Sequence, residues 1–218
     1  MPKKSQTRAI IPCAGYGLRM NMDPSMSKEL LIDPMTDQPL IQWSLYLCTK
    51  RGVKPLVITR AEKTDLIDYI IKNTDADLLV LNNIKGEWPN TILRSKNLWF
   101  DNNILILPDT RFKLKKIIKT IKDKLEDNND LVFACHEVDN ISKWGAIDNI
   151  NKRFCEKPTE TTPGLAWGLI GFKKEVGEEL FSLMSHRHEW LRMSSCDFET
   201  VKLNSFTDLT RTGKIETY

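Results

Sequence analysis

The stretch Ala9-Ile10-Ile11-Pro12-Cys13-Ala14-Gly15-Tyr16-Gly17-Leu18-Arg19-Met20 decides the fold of this chain. An apolar run that breaks into a glycine-bearing loop predicts a buried strand that delivers a ligand to the loop. Gly15 and Gly17 let the main chain approach a phosphate closely, and successive N–H groups form a concavity that binds anions. Arg19, and Lys28 further on, add positive charge. The stretch predicts a nucleotide-binding site, with a plain strand-to-loop turn as the alternative.

Two better-known glycine motifs are excluded at this loop. A P-loop would place Gly-Lys-Ser/Thr after four intervening residues, and a dinucleotide fingerprint would add a third glycine at the start of a helix. Here Gly17 is followed by Leu18-Arg19-Met20, and residues 21–27 are polar and contain a proline, without helical period.

Length and composition bound the class of protein. The 218 residues suit one domain, and a net charge of +3 is too small to indicate nucleic acid. No apolar stretch approaches the roughly 20 residues of a membrane span, and the N-terminus lacks a signal-peptide core. Five scattered cysteines fit reduced thiols that serve packing. We expect a cytoplasmic protein with no nucleic-acid or membrane partner. Its oligomeric state stays open, a homo-oligomer included.

Strands alternate with helices along the first part of the chain. Apolar runs predict strands at 7–12, 55–59, 77–81, 103–107 and 131–135, and apolar residues at helical spacing predict helices at 39–51, 62–72, 114–125 and 175–185. Gly52 is expected to stop the first helix. This alternation predicts an α/β fold, a three-layer α/β/α sandwich with a mainly parallel sheet.

The rhythm changes after Cys135. Strands are predicted at 144–147, 153–155 and 165–172 without intervening helices. We therefore expect a mixed or antiparallel portion that completes the sheet edge or forms a small acceptor-side lobe. No repeat or long linker divides the chain, so no second independent domain is expected.

Residues that follow the strands carry the remaining chemistry, because ligands of parallel sheets lie beyond the carboxyl ends of the strands. Asp109 follows an apolar strand and could hold Mg²⁺; the alternative is a turn or the N-cap of a helix starting near Lys113. Glu156-Lys157 precedes a proline and could grip a hydroxyl-rich phosphate ester, or form a surface ion pair. His186 and His188 fit surface residues better than metal ligands.

Taken together, these segments resemble the sugar-phosphate nucleotidylyltransferases. Six short motifs occur in the family's order, and this ordered co-occurrence is more specific than any one of them. They are Gly15-Tyr16-Gly17-Leu18-Arg19-Met20, Ser27-Lys28-Glu29-Leu30-Leu31, Gln38-Pro39-Leu40-Ile41-Gln42, Leu105-Ile106-Leu107-Pro108-Asp109, Trp144-Gly145-Ala146-Ile147 and Glu156-Lys157-Pro158.

The resemblance implies a fold and a reaction. The fold would be the nucleotide-diphospho-sugar transferase (GT-A/Rossmann-like) fold, with residues 1–218 as a single nucleotidyltransferase domain and 136–172 as its acceptor-side β portion. The enzyme would use Mg²⁺ and convert an NTP and a sugar 1-phosphate into an NDP-sugar and pyrophosphate, with UTP or dTTP the favoured donor.

The resemblance also implies a set of site residues. Arg19, Lys28 and Asp109 would be catalytic: Arg19 would stabilise the leaving pyrophosphate, and Lys28 would bridge the two reacting phosphates. Asp109 and Asp208 would ligate the metal. The nucleotide would contact Ala14, Gly15, Tyr16, Gly17, Pro89, Asn90 and Thr91, and the sugar phosphate would contact Gly145, Glu156 and Lys157.

The chain departs from the family in ways that leave alternatives open. Gly86 stands where many members have a glutamine, Pro108 replaces a glycine, and Asp208 could instead belong to a helix start. The function alternatives are a non-catalytic relative that binds nucleotide or sugar phosphate, and a CTP-dependent cytidylyltransferase acting on a non-sugar phosphate. A glycosyltransferase is disfavoured, because Arg111 stands where a D-x-D motif needs an acid.

Overall fold

A nine-stranded mixed sheet forms the centre of the protein. The structure, a computed structural model, describes residues 6–17, 20, 22–23, 25–82, 87–112, 116–203, 206–208 and 216–217, the last two ranges by their backbone alone. Its strands are β1 (Thr7–Pro12), β2 (Ile32–Asp33), β3 (Gln38–Pro39), β4 (Lys54–Arg60), β5 (Asp77–Leu81), β6 (Asn102–Ile106), β7 (Thr110–Phe112), β8 (Leu131–Val138), β9 (Gly145–Asp148), β10 (Arg153–Glu156), β11 (Gly164–Lys173), β12 (Glu199–Lys202), β13 (Phe206–Asp208) and β14 (Glu216–Thr217). Its helices are α1 (Ile41–Thr49), α2 (Thr64–Asn73), α3 (Trp88–Leu93), α4 (Ile117–Glu126) and α5 (Lys174–Met184), and Lys28–Leu30 forms a 3-10 turn.

The order of the strands brings the ends of β1, β4 and β6 to one edge of the sheet. These three strands and β5 pair in parallel, in the order β6-β1-β4-β5. The long strand β11 then pairs antiparallel with β6 on one side and with β8 on the other, and β12 lies beyond β8. Two small sheets, β2–β3 and β7–β13–β14, stand apart from this one.

The first strand shows why the sheet is covered on both faces. Ala9 and Ile11 belong to one hydrophobic core, which contains buried residues of α1, α2 and α4. Ile10, between them, belongs to a second core with buried residues of α3 and α5. Side chains of a strand alternate between the two faces of a sheet, so a strand with apolar residues on both faces needs a helical layer on each. The predicted three-layer α/β/α sandwich is confirmed.

The predicted antiparallel portion is confirmed as well. Strands β9, β10 and β11 follow one another without an intervening α-helix, and each pairs antiparallel with the next or with a neighbour. Residues 169–173 of β11 pair with β6, whereas residues 165–166 pair with β9. The β9–β10 hairpin therefore lies beyond the carboxyl end of β6, at the edge where a ligand of this sheet is expected.

Element boundaries differ from the predictions where proline or short length weakens the pattern. The helix predicted at 39–51 begins at Ile41, because Pro39 pairs with Ile32 in the β2–β3 hairpin. Gly52 is in the left-handed region (φ +61°), as the predicted stop requires. Helix α3, which has six residues and a proline in its first turn, was not predicted. The predicted start of α4 at Leu114 lies outside the described residues.

The remaining composition-based predictions concern cysteines and membranes. All five cysteines are free, and four of them are buried, in keeping with packing roles. No helix in the described part of the chain has the length and apolar character needed to span a bilayer.

Candidate functional site

The glycine loop follows β1 directly and leaves open space at its start. Ala14 is buried and Gly15 is exposed, with no other atom within 4 Å of where a Cβ would stand. Of the two loop glycines, Gly17 has a left-handed backbone (φ +66°), whereas Gly15 does not. The predicted cation Arg19 lies outside the described residues.

Arg60, at the carboxyl end of β4, contacts Tyr16 of this loop. Its guanidinium carbon lies 4.1 Å from the centre of the Tyr16 ring, and its side chain is only 1% exposed. A cation over an aromatic face is favoured most where water is excluded. Tyr16 is thereby held against the end of the sheet, which limits the freedom of the loop.

Lys28 and Asp109, two of the predicted catalytic residues, form an ion pair. The ammonium of Lys28 donates to Asp109 Oδ2 at 2.5 Å, and both side chains are largely buried, with 20% and 13% exposure. Eighty-one positions separate them in the sequence. The 3-10 turn at Lys28–Leu30 and the end of β6 thus bring a cation and a carboxylate together beside the glycine loop.

Asp109 lies in the turn between β6 and β7. This turn is closed by Thr110 and Ser44, whose hydroxyl groups both donate to the carbonyl of Leu107. Helix α4 begins only at Ile117, so the alternative that made Asp109 the N-cap of that helix is wrong, whereas the turn is confirmed.

The pairing of β13 with β7 places the backbone of Asp208 close to this turn. It belongs to β13, where it stands opposite Thr110, the neighbour of Asp109. The alternative that placed Asp208 in a helix start is wrong, because the backbone at 206–208 is extended and paired with β7. Its side chain is not among those described, so a metal-ligating role for it stays a prediction.

The donor set suits a magnesium ion bound together with a polyphosphate. Mg²⁺ is usually held by one or two carboxylates, with phosphate oxygens and water completing its shell. Asp109 accepts a hydrogen bond from the ammonium of Lys28. The described residues contain no group of three or more His, Cys, Asp or Glu side chains that could hold a metal ion. The carboxylate of Asp109 fits a magnesium ion whose shell phosphate oxygens would complete, and binding of the metal there stays a prediction.

A buried ion pair lies next to Lys28. Lys63 donates to Glu29 Oε2 at 2.7 Å and to the carbonyl of Cys13 at 2.8 Å, and both charged side chains are essentially inaccessible. Burial raises the pKa of Glu29 by more than the positive charges of Lys63 and Lys28 lower it. Burial also raises the pKa of Cys13 well above its ordinary value. Cys13 is therefore a neutral thiol and not a nucleophile.

On the predicted acceptor side, Gly145 and Glu156 are paired across the β9–β10 hairpin. A Cβ on Gly145 would lie 2.6 Å from Glu156 Oε2 and 1.7 Å from Trp167 Nε1. The indole of Trp167 is 94% buried, and its N–H makes no hydrogen bond to a described residue. Protein side chains therefore lie against Gly145 in this structure, and its contact with the sugar phosphate stays a prediction.

Lys157 has a strained backbone that a second segment holds in place. Its φ is +56°, an uncommon region for a residue with a side chain. Lys157 N–H donates to the carbonyl of Trp144 at 3.0 Å, and its own carbonyl contacts the Nδ1 atom of His188 at 2.5 Å. His188 was predicted to be a surface residue rather than a metal ligand. It is exposed, yet it contacts a predicted substrate-binding position.

The predicted base-binding segment forms the first turns of α3. Pro89 and Thr91 are buried and Asn90 is exposed. Just before the helix, Glu87 pairs with Arg187 at 3.1 Å, and Arg187 is bridged to Glu156 through its backbone. The segment that carries Arg187 thus links the predicted nucleotide side to the predicted acceptor side.

Solved structures share this architecture. A protein of Bacillus anthracis, provisionally named a glucose-1-phosphate thymidylyltransferase and solved with sucrose, has a TM-score of 0.76 at 18% identity, over 94% of this chain and 90% of its own. HddC from Yersinia pseudotuberculosis has a TM-score of 0.65 at 19% identity, over 92% of each chain. A UDP-glucose pyrophosphorylase, complexed with UDP-glucose, has a TM-score of 0.65 at 21% identity, over 81% of this chain and 79% of its own.

The fold is that of the sugar-phosphate nucleotidylyltransferases. The resemblance predicted from six short motifs is confirmed at this level. No protein-family model and no curated protein matches the sequence. The nucleotidylyltransferase fold therefore rests here on three-dimensional likeness, and the roles of individual residues stay predictions.

The buried charges beside the candidate site were not predicted from the sequence. Arg60, Lys63 and Glu29 have no role in the motifs. The Lys63–Glu29 pair and the contact of Arg60 with Tyr16 join residues that are far apart in the sequence. One signal existed: charged residues directly after an apolar strand, as Arg60 follows 55–59, are uncommon in a protein interior unless they are paired.

Proposed function

We propose that this protein is a Mg²⁺-dependent nucleotidyltransferase that makes an NDP-sugar and pyrophosphate from an NTP and a sugar 1-phosphate. The observation that carries the proposal is the Lys28–Asp109 pair beside the open glycine loop. The reaction needs a cation and a metal-binding carboxylate at that place. The shared fold supports the proposal, because relatives in fold include a UDP-glucose pyrophosphorylase complexed with UDP-glucose.

The reaction asks the protein for positioning and charge rather than for covalent chemistry. An oxygen of the sugar phosphate attacks the α-phosphorus of the NTP and forms a new P–O bond, while the bond to the β-phosphate breaks and its electron pair leaves with pyrophosphate. Preorganised positive groups that face the developing charge lower this barrier. Lys28 would exchange Asp109 for phosphate oxygens when substrates bind, and Arg19 would face the leaving pyrophosphate.

The metal would be held by Asp109, with Asp208 as the second carboxylate. Bound Mg²⁺ would neutralise triphosphate charge and orient the phosphates. The main-chain N–H groups of residues 14–17 would contact the nucleotide, together with Pro89, Asn90 and Thr91 of α3. UTP or dTTP is the favoured donor.

The acceptor would bind across the β9–β10 hairpin. Glu156 would accept hydrogen bonds from hydroxyl groups, and Lys157 would bind the acceptor phosphate. We assign the whole chain, 1–218, to one nucleotidyltransferase domain, with residues 136–172 on the acceptor side.

A second candidate is CTP-dependent transfer to a phosphate ester that is not a sugar. The observation that favours it is the crowding over Gly145, where Trp167 Nε1 and Glu156 Oε2 lie 1.7 and 2.6 Å from the position of a Cβ. An acceptor that does not lie against Gly145 would leave these side chains in place.

A pyrophosphate-release screen tests both candidates. Each NTP is offered with Mg²⁺ and a panel of sugar 1-phosphates plus phosphocholine. We expect turnover with one donor and one acceptor class, and a loss of at least about 100-fold in Lys28→Ala and Asp109→Asn, because each removes a charge that acts on the transition state. Lys72→Ala is the matched control, since the partner of Lys72 among the described residues is Asp68, on the exposed face of α2.

Two results would count against the proposal. Near-normal turnover in Lys28→Ala or Asp109→Asn, with the fold intact by circular dichroism, would remove the assigned mechanism. Tight NTP binding by calorimetry without turnover on any acceptor would favour the non-catalytic relative instead.

A further inference from the structure

Helix α2 contacts the segment that carries Lys28 on both sides of that residue. Asp65, in the first turn of α2, accepts hydrogen bonds from the N–H and the hydroxyl of Ser27, at 3.1 and 2.6 Å. Lys63, just before the helix, donates to the carboxylate of Glu29 at 2.7 Å. Lys28 stands between these two attachment points, with its ammonium on Asp109.

The second of these attachments is anchored in the central sheet. Lys63 also donates to the carbonyl of Cys13, directly after β1, at 2.8 Å. The start of α2 is thereby tied both to the beginning of the glycine loop and to the Lys28 segment. One helix start fixes the distance between the proposed phosphate-binding backbone and the proposed catalytic cation.

The Lys28 segment needs such support, because it has little regular structure of its own. Lys28–Leu30 is a single 3-10 turn, and no side chain caps it. A lysine side chain carries up to about 2 kcal/mol of rotamer entropy, so ion pairing with Asp109 alone would hold it weakly. A backbone fixed at Ser27 and Glu29 reduces the number of ways in which Lys28 can turn away.

The buried pair has the character of a positioning element. Buried ion pairs contribute little net stability compared with apolar residues of similar size, because desolvation offsets their attraction. Glu29 Oε1 has no hydrogen-bond partner among the described residues, so the pair is costly as well as rigid. A fixed geometry at the site is a benefit that can offset the energetic cost of this buried ion pair.

We propose that Lys63 and Asp65 are positioning residues that hold Ser27–Glu29 so that Lys28 stays beside Asp109. This inference rests on the proposed function for its catalytic meaning. Neither residue is assigned a contact with substrate; both act through the backbone and side chains of Ser27 and Glu29. Displacing a catalytic group by about 1 Å can cost a factor of about 100 in rate.

Asp65→Ala tests this inference against a matched control on the same helix. Asp65 is exposed enough for the variant to fold. Asp68→Ala removes a carboxylate one turn further on, whose ion-pair partner within the described ranges is exposed Lys72. We expect kcat to fall about 10- to 100-fold in Asp65→Ala, with KM for the NTP nearly unchanged. Asp65→Asn, which keeps one acceptor, should be intermediate, and Asp68→Ala should match wild type.

A second measurement separates this inference from the proposed function. The rate at which an amine-acylating reagent modifies Lys28 is followed by mass spectrometry, with exposed Lys96 as the internal reference. We expect faster modification of Lys28 in Asp65→Ala, because the residue leaves its half-buried place beside Asp109. A wild type that releases no pyrophosphate would refute the proposed function, while this labelling would still decide the inference.

The labelling rate of Lys28 and the value of kcat together test the inference. Faster labelling of Lys28 together with a reduced kcat supports the inference. Wild-type labelling in Asp65→Ala, or a wild-type kcat despite faster labelling, overturns it. The double variant Lys63→Met/Glu29→Met, which replaces both buried charges, should also speed the labelling, and a wild-type rate there would remove Lys63 from the inference.

Discussion

At Gly145 the absence of a side chain leaves room for Trp167 and Glu156 to pack against the backbone of β9. We expect Gly145→Ala to lower the free energy of unfolding by about 1–3 kcal/mol, the usual cost of overpacking, because its Cβ would fall 1.7 Å from Trp167 Nε1. Urea denaturation measures this change. Gly15→Ala is the matched control, with no atom within 4 Å of its Cβ position and an expected change within about 0.5 kcal/mol. Equal stability of both variants would contradict this account of Gly145.

Residue identities at the site could be predicted only where a short motif carries them. Lys28 and Asp109 were singled out because each stands in a recognisable local context, an S-K-x-L-L segment and the end of an apolar strand. Glu29 and Lys63 could not be singled out. Their meaning depends on a contact across 34 positions, and no local pattern marks a charged side chain that will be buried.

At the scale of elements, the β9–β10 hairpin carries a carboxylate with a strongly lowered pKa. The N–H and side-chain amide of Asn151 donate to Asp148, as does Arg153. These hydrogen bonds lower the pKa of Asp148 to about 2, from an ordinary value of 3.8. The folded hairpin therefore holds the charged form at a pH where the unfolded chain begins to bind a proton.

This shift predicts an acid-dependent loss of stability. A lowered folded-state pKa stabilises the protein above the unfolded value, and the contribution disappears as the pH falls from about 4 to about 2. We expect the free energy of unfolding of wild type to fall more steeply than that of Asp148→Asn between about pH 6 and about pH 3. Denaturant titrations at both pH values check this. Parallel losses in the two proteins would rule out a role for the Asp148 charge.

Elements were predicted well where one pattern dominated the local sequence. The strand at 77–81 has its predicted limits, and the helix predicted at 62–72 is α2, Thr64–Asn73. Helix α3 was not predicted, because six residues form too few turns for apolar residues to show a helical spacing. Pro39 was assigned to the wrong element, because proline suits both a first helical turn and an edge strand.

For the whole molecule, the proposed site predicts stabilisation by substrate. A ligand that binds only the folded state at about 100 times its Kd adds about 2.7 kcal/mol, which for a chain of this size raises Tm by roughly 5–10 °C. We expect this rise with Mg²⁺ and the preferred NTP in a thermal melt.

The controls for this melt use the same protein. Mg²⁺ alone should raise Tm less, and Asp109→Asn should lose most of the rise with Mg²⁺ and NTP. If Asp109→Asn kept the full rise, the nucleotide would bind without the metal site at Asp109.

The sequence by itself determined the layered α/β architecture, the glycine loop and the identities of Lys28 and Asp109. Periodicity and strand-end chemistry are local properties, readable wherever a few adjacent residues carry them. Only the tertiary structure decided that Lys28 pairs with Asp109, that Lys63 and Asp65 secure the Lys28 segment, and that Trp167 covers Gly145. Such contacts arise when the sheet order brings distant strand ends to one edge, and their geometry is set by packing that no local stretch encodes.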